Sequence, residues 1–470
     1  MRPRRLLALA LLTTTVSARA EERTIRLRYT PEDAMTGRYQ YVPFDVPEGT
    51  TRIDIAYRYD KADGAHAIDL GLFDGSLELG TRGLRGYSGG ARDEAFVALD
   101  AATPGYWPGP IPAGRWHVLL GLYKVGPAGV DAVVVVKTSR SAVAGTANGL
   151  PPRSSDPLRK GAAWYSGGLH AHTVHSDGRL TTPELAAAAR ADGLDFLVIT
   201  DHNNTAQQVD RVDVPDLLTI SGEEVTTPGG HLNVWGLRGP RAFVDFRVLP
   251  GDPRIQDLVN AAHAAGGLAS INHPYADCFA CAWTHPVPEE VDAIEIANRD
   301  AQTLAQGLAM WDVLLRQGKR VTAVGASDYH RTGENPIGSA SVRVWAEELG
   351  TQAILDGLRA GRVVVMADGR TPPPFLRLRA AGRVASPGDT VSLKPAERMD
   401  IEVATPAPAY AGGRVDLVWR GELVASAKLG DRPAHFTRWA TADGYLRAHV
   451  HSASGAPLAI TNPIFVKIAQ

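Results

Sequence analysis

The chain has 470 residues, with 49 Lys and Arg against 51 Asp and Glu, for a formal net charge of −2 at pH 7. That length divides into two to four domains, and 44% apolar with 21% charged residues is an ordinary balance for soluble globular protein. The near-zero net charge excludes an overall electrostatic preference for nucleic acid or an acidic membrane surface. A small molecule is the expected partner, and nucleic acid is not expected as a stable one.

Residues 1–20 read as a separate object. Arg2, Arg4 and Arg5 precede a short apolar run from Leu6 to Val16, and Ala18 and Ala20 sit at the positions a signal peptidase reads. The expectation is a secretory signal cleaved after Ala20 and an exported chain, periplasmic or secreted. The run is short of the roughly 20 apolar residues a membrane helix needs, and no later stretch is long and apolar enough for a membrane span. Residues 21–150 alternate apolar and polar with period two, as in Thr24–Tyr29 and Arg52–Tyr57. They predict an N-terminal β-sandwich. The Pro- and Ser-rich stretch 146–160 predicts a linker.

From about residue 161 to 370 the texture changes to short β runs alternating with Ala- and Leu-rich helical runs. Predicted strands are Ser166–His172, Phe196–His202, Leu218–Val225, Leu232–Leu237, Leu268–His273, Ala293–Ala297 and Val321–Ala326. Predicted helices include Thr182–Asp192, Ile255–Ala265 and Thr303–Gln317. Such alternation implies mainly parallel strands with crossover helices. Seven strands in this length point to a barrel-like closure, with an open sheet as the alternative. A second linker at Gly369–Pro374 leads to residues 375–470, where period two returns in Phe375–Arg379 and predicts a smaller, C-terminal β-sandwich.

The two cysteines, Cys278 and Cys281, are spaced C-x-x-C. With export, a local disulfide is the expectation and two free thiols the alternative; a zinc knuckle would need a second ligand pair.

Nine of the fourteen histidines fall between His170 and His330. Ligand-type residues close nearly every predicted strand: His170 and His172, then Asp177; Asp201 and His202; Glu223 and Glu224; His231; His273; Asp328 and His330. The C-terminal ends of parallel strands converge on one face, so these side chains should meet in one pocket. Period two puts His170 and His172 on one side of a strand, and Asp328 and His330 follow the same logic. Imidazole and carboxylate without thiolate suit zinc, manganese or iron. His66, His117, His263, His435, His449 and His451 are expected to be hydrogen-bonded structural residues. His175 and His285 stay undecided.

Five motifs, GLHAHTVHSDG (168–178), ITDHN (199–203), SGEEVTTPGGHLN (221–233), INHP (271–274) and GASDYH (325–330), resemble in order and spacing the PHP (polymerase and histidinol phosphatase) family. The resemblance covers about residues 165–370. With the N-terminal β domain and the DAIEIAN stretch (292–298), the chain is similar to the CehA/McbA-type metallohydrolases, which include carbaryl hydrolase. The resemblance implies an α/β fold, a distorted (β/α)7 barrel, here flanked by the two β-sandwiches, and up to three divalent metal ions. His170, His172, Glu224 and Asp328 would hold the first ion. Glu224 would bridge to a second with His231 and His273, and Asp177, His202 and His330 would hold the third. Many family members have His where Asp177 stands. Glu223 would point away from its neighbour, because adjacent strand residues face opposite sides. Glu224, Asp328 and Asp201 are the expected catalytic residues, Asp201 by orienting a ligand imidazole.

The chemistry these residues imply is hydrolysis by water activated between metal ions. A phosphate mono- or diester is the leading substrate, with Arg299 and Arg331 to bind it. A carbamate, ester or amide is the second reading. A metal-containing binding module is the non-enzymatic one, against which about nine ligands argue, since structural zinc sites are closed and single.

Overall fold

The computed structural model describes residues 21–75, 83–140, 150, 156–278, 280–298, 301–333, 335–406 and 408–469. Residues 1–20, which carry the signal reading, lie outside them, as do Arg299 and most of the first linker.

The N-terminal unit consists of two four-stranded sheets around one core. One sheet runs Glu21–Tyr29, Val130–Ser139, Arg52–Tyr59, Glu94–Ala98; the other runs Tyr39–Val46, Gly114–Lys124, Ala67–Phe73, Leu84–Gly89. Every pairing is antiparallel. Period two is visible in the packing: Ile53, Ile55 and Tyr57 meet Val118, Leu120 and Leu122 in one buried core, where Trp116 also lies.

The middle unit carries a continuous mixed sheet. Its order is Thr322–Gly325, Ala293–Ala297, Leu268–Ile271, Gly230–Trp235, Leu218–Thr227, Phe196–Ile199, Arg159–Gly168, Ser341–Leu349, Val363–Met366. What is seen is coarser than a distorted (β/α)7 barrel. The Gly230–Trp235 strand is antiparallel to both neighbours, as is Ser341–Leu349. Among the described residues only the α-helices Thr182–Ala191, Ile255–Ala264, Ala301–Arg316 and Thr351–Arg359 accompany these strands. A hairpin, joining the strand of Glu224 to that of His231 through Pro228 and Gly229, takes the place of a helical crossover. The sheet nevertheless curls: Ala171, just beyond Arg159–Gly168, bridges in parallel to Tyr329, just beyond the edge strand Thr322–Gly325. Local sequence explains the helices. Thr181 accepts from Glu184 N while the Glu184 carboxylate accepts from Thr181 N, a capping box at the start of Thr182–Ala191. Leu185, Ala186 and Ala189 then face the sheet.

The C-terminal unit is a sandwich too, but not a separate one. Its Pro457–Thr461 strand pairs antiparallel with Val363–Met366, so one sheet runs through both units. Asn462 then covers the edge strand of the middle sheet: its Oδ1 accepts from Ala323 N at 2.9 Å and its Nδ2 donates to Ala323 O at 2.8 Å. No helix among the described residues is long and apolar enough to cross a membrane.

Candidate metal centre

The nine expected ligands converge. They fall into four overlapping groups: His172, Asp177, His202, His330; His170, His172, Glu224; His170, His273, Asp328; and Glu224, His231, His273. In each, one ligand atom per residue lies within 4.8 Å of the others. The grouping differs from the expected one in detail, because His172 also reaches Asp177 (4.0 Å) and His273 joins His170 and Asp328.

Glu224 is the hub. Its Oε1 lies 3.3 Å from His170 Nε2, 3.1 Å from His231 Nδ1 and 3.2 Å from His273 Nε2, and accepts from Asn272 Nδ2 at 3.0 Å. Its Oε2 lies 3.4 Å from His172 Nε2 and 2.9 Å from His202 Nδ1. Asp328 Oδ1 lies 3.3 Å from His170 Nε2 and 3.1 Å from His172 Nε2, and those two Nε2 atoms are 3.1 Å apart. An oxygen has two lone pairs and cannot accept four good hydrogen bonds. Glu224 Oε2 is buried and accepts none, despite the nearness of His202. Six imidazoles and three carboxylates aimed at common points, with such an orphaned oxygen, fit a set of divalent cations.

Backbone strain marks the same places. His273 (φ 21°), Asp328 (φ 48°) and Asn203 (φ 54°) occupy the left-handed region, which costs a non-glycine residue about 1–3 kcal/mol. The H-x-H pair is not in a strand either, since the strand stops at Gly168. The single Ala171–Tyr329 bridge keeps that segment extended and leaves both imidazoles on one side. Asp328 and His330 meet through a turn rather than by strand period.

Outer contacts set the tautomers. Glu295, buried, bonds His170 Nδ1 through Oε1 at 2.8 Å, which leaves the Nε2 lone pair facing Glu224 and Asp328. His330 Nδ1 donates to Asp328 O at 2.9 Å, so its Nε2 faces Asp177 at 3.3 Å. His202 Nδ1 lies 2.5 Å from Thr226 Oγ1. Asp201 does not orient an imidazole directly. Its carboxylate accepts from Thr173 N (2.8 Å), Thr173 Oγ1 (2.7 Å) and Ser176 Oγ (2.7 Å), because the turn behind the H-x-H pair has N–H and O–H groups to satisfy; Ser176 Oγ lies 3.4 Å from His172 Nδ1. Glu223 faces the other way, accepting from Val244 N at 2.7 Å.

Electrostatically, burial works against the charge on Glu224, but His170, His202 and His231 outweigh it and hold the carboxyl well below its usual range. Burial is likewise outweighed at His170 by Glu224, Glu295 and Asp328, which raise it, and at His202 by Glu224 and Asp177, which lift it to about 9. Burial, with His330 and His202 beside it, pushes His172 down to about 4. Asp177, 47% exposed, is the candidate ligand nearest solvent.

The other histidines divide as follows. His175 accepts from Gly105 N and sits 3.0 Å from Asp210, tying the N-terminal sandwich to the middle unit. His285 bonds Thr227. His263 pairs with Asp292 at 2.7 Å. Cys278 and Cys281 are disulfide-bonded, with Cα atoms 5.4 Å apart. Their loop is laid on the His231 hairpin by Thr284 N donating to Gly229 O. Arg331 is exposed beside His330.

Glu295 and Asn272 were not singled out from sequence. The signal was present in DAIEIAN, where an acid stands between Ile294 and Ile296 of a strand with no water on either face, a costly position unless the acid is used. Glu295→Ala should weaken metal affinity about 10- to 100-fold, with Glu295→Gln recovering part of it. Competition with a chelating dye measures this, and unchanged affinity in the Ala variant would show that Glu295 does not position His170.

No family model matches the chain, and no curated protein matches it. Among solved structures it is similar to a two-domain protein from Bacteroides vulgatus containing a predicted PHP-like metal-dependent phosphoesterase, at 18% identity and a TM-score of 0.36, over 68% of this chain and 100% of that one. An amidohydrolase from Chromobacterium violaceum, with bound sulfate and no metal, matches at 19% identity and 0.27, over 36% and 89%. Fibronectin(III)-like modules of CbhA from Clostridium thermocellum match at 18% and 0.16, over 20% and 99%. All three likenesses are distant.

Proposed function

We propose that this chain is a metal-dependent hydrolase of the PHP type, exported and acting on a small molecule. The observation that carries the reading is the buried Glu224 carboxylate with five imidazole nitrogens within 3.4 Å of its oxygens. His170, His172, Glu224 and Asp328 would hold one ion, Glu224, His231 and His273 a second, and Asp177, His202 and His330 a third. Zinc, manganese or iron, when bound, supplies a water activated near neutral pH and a Lewis acid for the substrate oxygen. The chain's own part is to keep the donors converged. Glu295 fixes the His170 tautomer, the Asp328 carbonyl fixes that of His330, and Asp201 pins the turn carrying Ser176. The half-exposed Asp177 marks the side from which substrate arrives.

A phosphate mono- or diester is the first substrate reading, in line with the PHP resemblance and the charge a multinuclear site can neutralise; Arg331, and Arg299 with it, would take non-bridging oxygens. One observation favours the second reading, a carbamate, ester or amide. The Asp69 carboxylate of the N-terminal sandwich faces the centre closely enough to feel His202, and a carboxylate repels phosphate. The test strips the full chain with a chelator and returns zinc, manganese or iron. 4-Nitrophenyl phosphate, bis(4-nitrophenyl) phosphate, 4-nitrophenyl acetate and a 1-naphthyl carbamate are then supplied to each form. Turnover should vanish on stripping and return with at least one metal. Equal turnover in the stripped chain, or none under any condition, refutes the hydrolase reading. Full phosphoesterase turnover in an Arg299→Ala/Arg331→Ala chain would remove those two residues from the phosphate reading.

A further inference from the structure

The outer face of the second N-terminal sheet is an aromatic and apolar docking surface. Phe73, Tyr87 and Leu119 pack with Val225, Leu232 and Phe246 of the middle unit. Asp69 interrupts it. On its strand Ile68 and Leu70 turn into the sandwich core, so Asp69 faces the seam. Its Oδ2 accepts from the Tyr87 hydroxyl at 2.5 Å, and Oδ1 has no partner among the described residues. Space around it is kept open: a Cβ on Gly121 would lie 3.1 Å from the Asp69 Cβ. The side chain is crowded by protein yet only partly buried, so it keeps access to solvent.

That face of the sandwich joins the middle unit beside the metal centre. Asn204 Nδ2 donates to Tyr87 O (3.4 Å) and to His202 O (2.9 Å), joining the two units beside a ligand. Arg92 donates to Val174 O, on the loop between His172 and Asp177. The charge of His202 acts on Asp69, and that of Glu224 on Tyr123. Burial pushes the Asp69 carboxyl up to about 6, in spite of the Tyr87 bond and the charges of His202 and Arg38. Arg38 itself donates to the Tyr123 carbonyl at 3.1 Å. A carboxylate with a spare oxygen in aromatic surroundings costs stability that a leucine there would not, which is how binding groups stand out from packing groups.

We propose that Asp69, flanked by Tyr87 and Tyr123, is a substrate-binding subsite that the N-terminal sandwich supplies to the metal centre, and that it receives an N–H group of the substrate, ammonium or amide. The sandwich is then part of the active site rather than an appended module. In calling the ligand a substrate, the proposal rests on the hydrolase reading.

The experiment uses the metal-loaded full chain and two matched pairs: 4-nitrophenyl 6-aminohexanoate against the heptanoate, and 2-aminoethyl 4-nitrophenyl phosphate against the propyl diester. The wild type should prefer the amino member of the pair it hydrolyses by about tenfold or more, expressed in KM. Asp69→Leu should erase that preference and Asp69→Asn reduce it, with metal content unchanged in both. A preference that survives in Asp69→Leu overturns the proposal. If neither pair is turned over, turnover of the four chromogenic substrates above tells whether the hydrolase reading has failed, and calorimetric titration with butylamine decides the subsite. Binding weakened tenfold or more by Asp69→Leu supports it; equal binding, or no binding to wild type, overturns it.

Discussion

Glu224→Ala should give a folded chain with no measurable hydrolysis. The Glu224 oxygens stand within 3.4 Å of five imidazole nitrogens, and two of the four ligand groups include this carboxylate. Removing it takes a shared ligand from both groups and leaves His170, His202 and His273, all raised by its charge, without that counter-charge. Metal ions contribute several kcal/mol of transition-state stabilisation, so the loss is roughly a thousandfold or more in kcat/KM. Metal content by emission spectrometry should fall with it, while the circular dichroism of the sandwiches stays. Glu223→Ala is the control one residue away. Glu223 faces Val244, so its replacement should alter stability and leave metal content alone. A Glu224→Ala chain that keeps its metal and turns over within tenfold of wild type would show that the carboxylate is not the hub of the site.

The sequence made the site easier to read than the fold. Ligand types cluster in five short motifs, and strand ends are where chemistry collects in parallel sheets, so the candidate cluster could be named without knowing how the chain closes, and the resemblance to the PHP family narrowed it to nine residues. Strand bodies were legible for the same reason: Phe196–Ile199 is continuously apolar and buried throughout, and Ala293–Ala297 is apolar but for Glu295 and buried nearly throughout. Their ends were not. The first strand was expected to carry through His172 but leaves the ladder after Gly168, where a one-residue bridge to Tyr329, 158 positions away, replaces it. The strands Ser341–Leu349 and Val363–Met366 and the helix Thr351–Arg359 were missed, and they are what joins the middle sheet to the C-terminal sandwich. That junction depends on pairing across about 100 residues, such as Val364 with Thr461, which no local period encodes. Asp201 and Glu295 show the same limit at the level of side chains. Residue type announced one of them and burial the other, but only the three-dimensional contacts say that Asp201 holds a turn and Glu295 an imidazole.

The second large effect is expected at that junction. Asp312→Ala should destabilise the chain by about 3–5 kcal/mol, the usual cost of stranding one member of a buried ion pair. Asp312 lies on the Ala301–Arg316 helix and is gripped from the C-terminal sandwich. Arg447 donates to Oδ1 at 2.5 Å and Oδ2 at 2.8 Å, and the Tyr445 hydroxyl to Oδ1 at 2.9 Å. The Arg447 side chain is 2% exposed, with the Trp311 ring 4.7 Å from its guanidinium carbon, so the cation has nowhere to rehydrate. Burial alone would raise the Asp312 carboxyl, but the Arg447 bonds outweigh it and lower it below the usual value. A depressed carboxyl contributes its stability above the unfolded value, about pH 4, and loses it as pH falls through the folded value. The gap between wild type and variant should therefore be flat from pH 5 to 8 and shrink below pH 4. A double Asp312→Leu/Arg447→Met chain should recover most of the loss, since an apolar pair of similar volume replaces a buried ion pair at little cost. Chemical denaturation at several pH values reads all three results. The loosening should also reach the metal centre, because the same sandwich supplies Asn462 to the Thr322–Gly325 strand, which ends three residues before Asp328. Metal affinity lower in Asp312→Ala and restored in the double variant would establish that path; a single variant as stable as wild type would remove the ion pair from any part in holding the two units together.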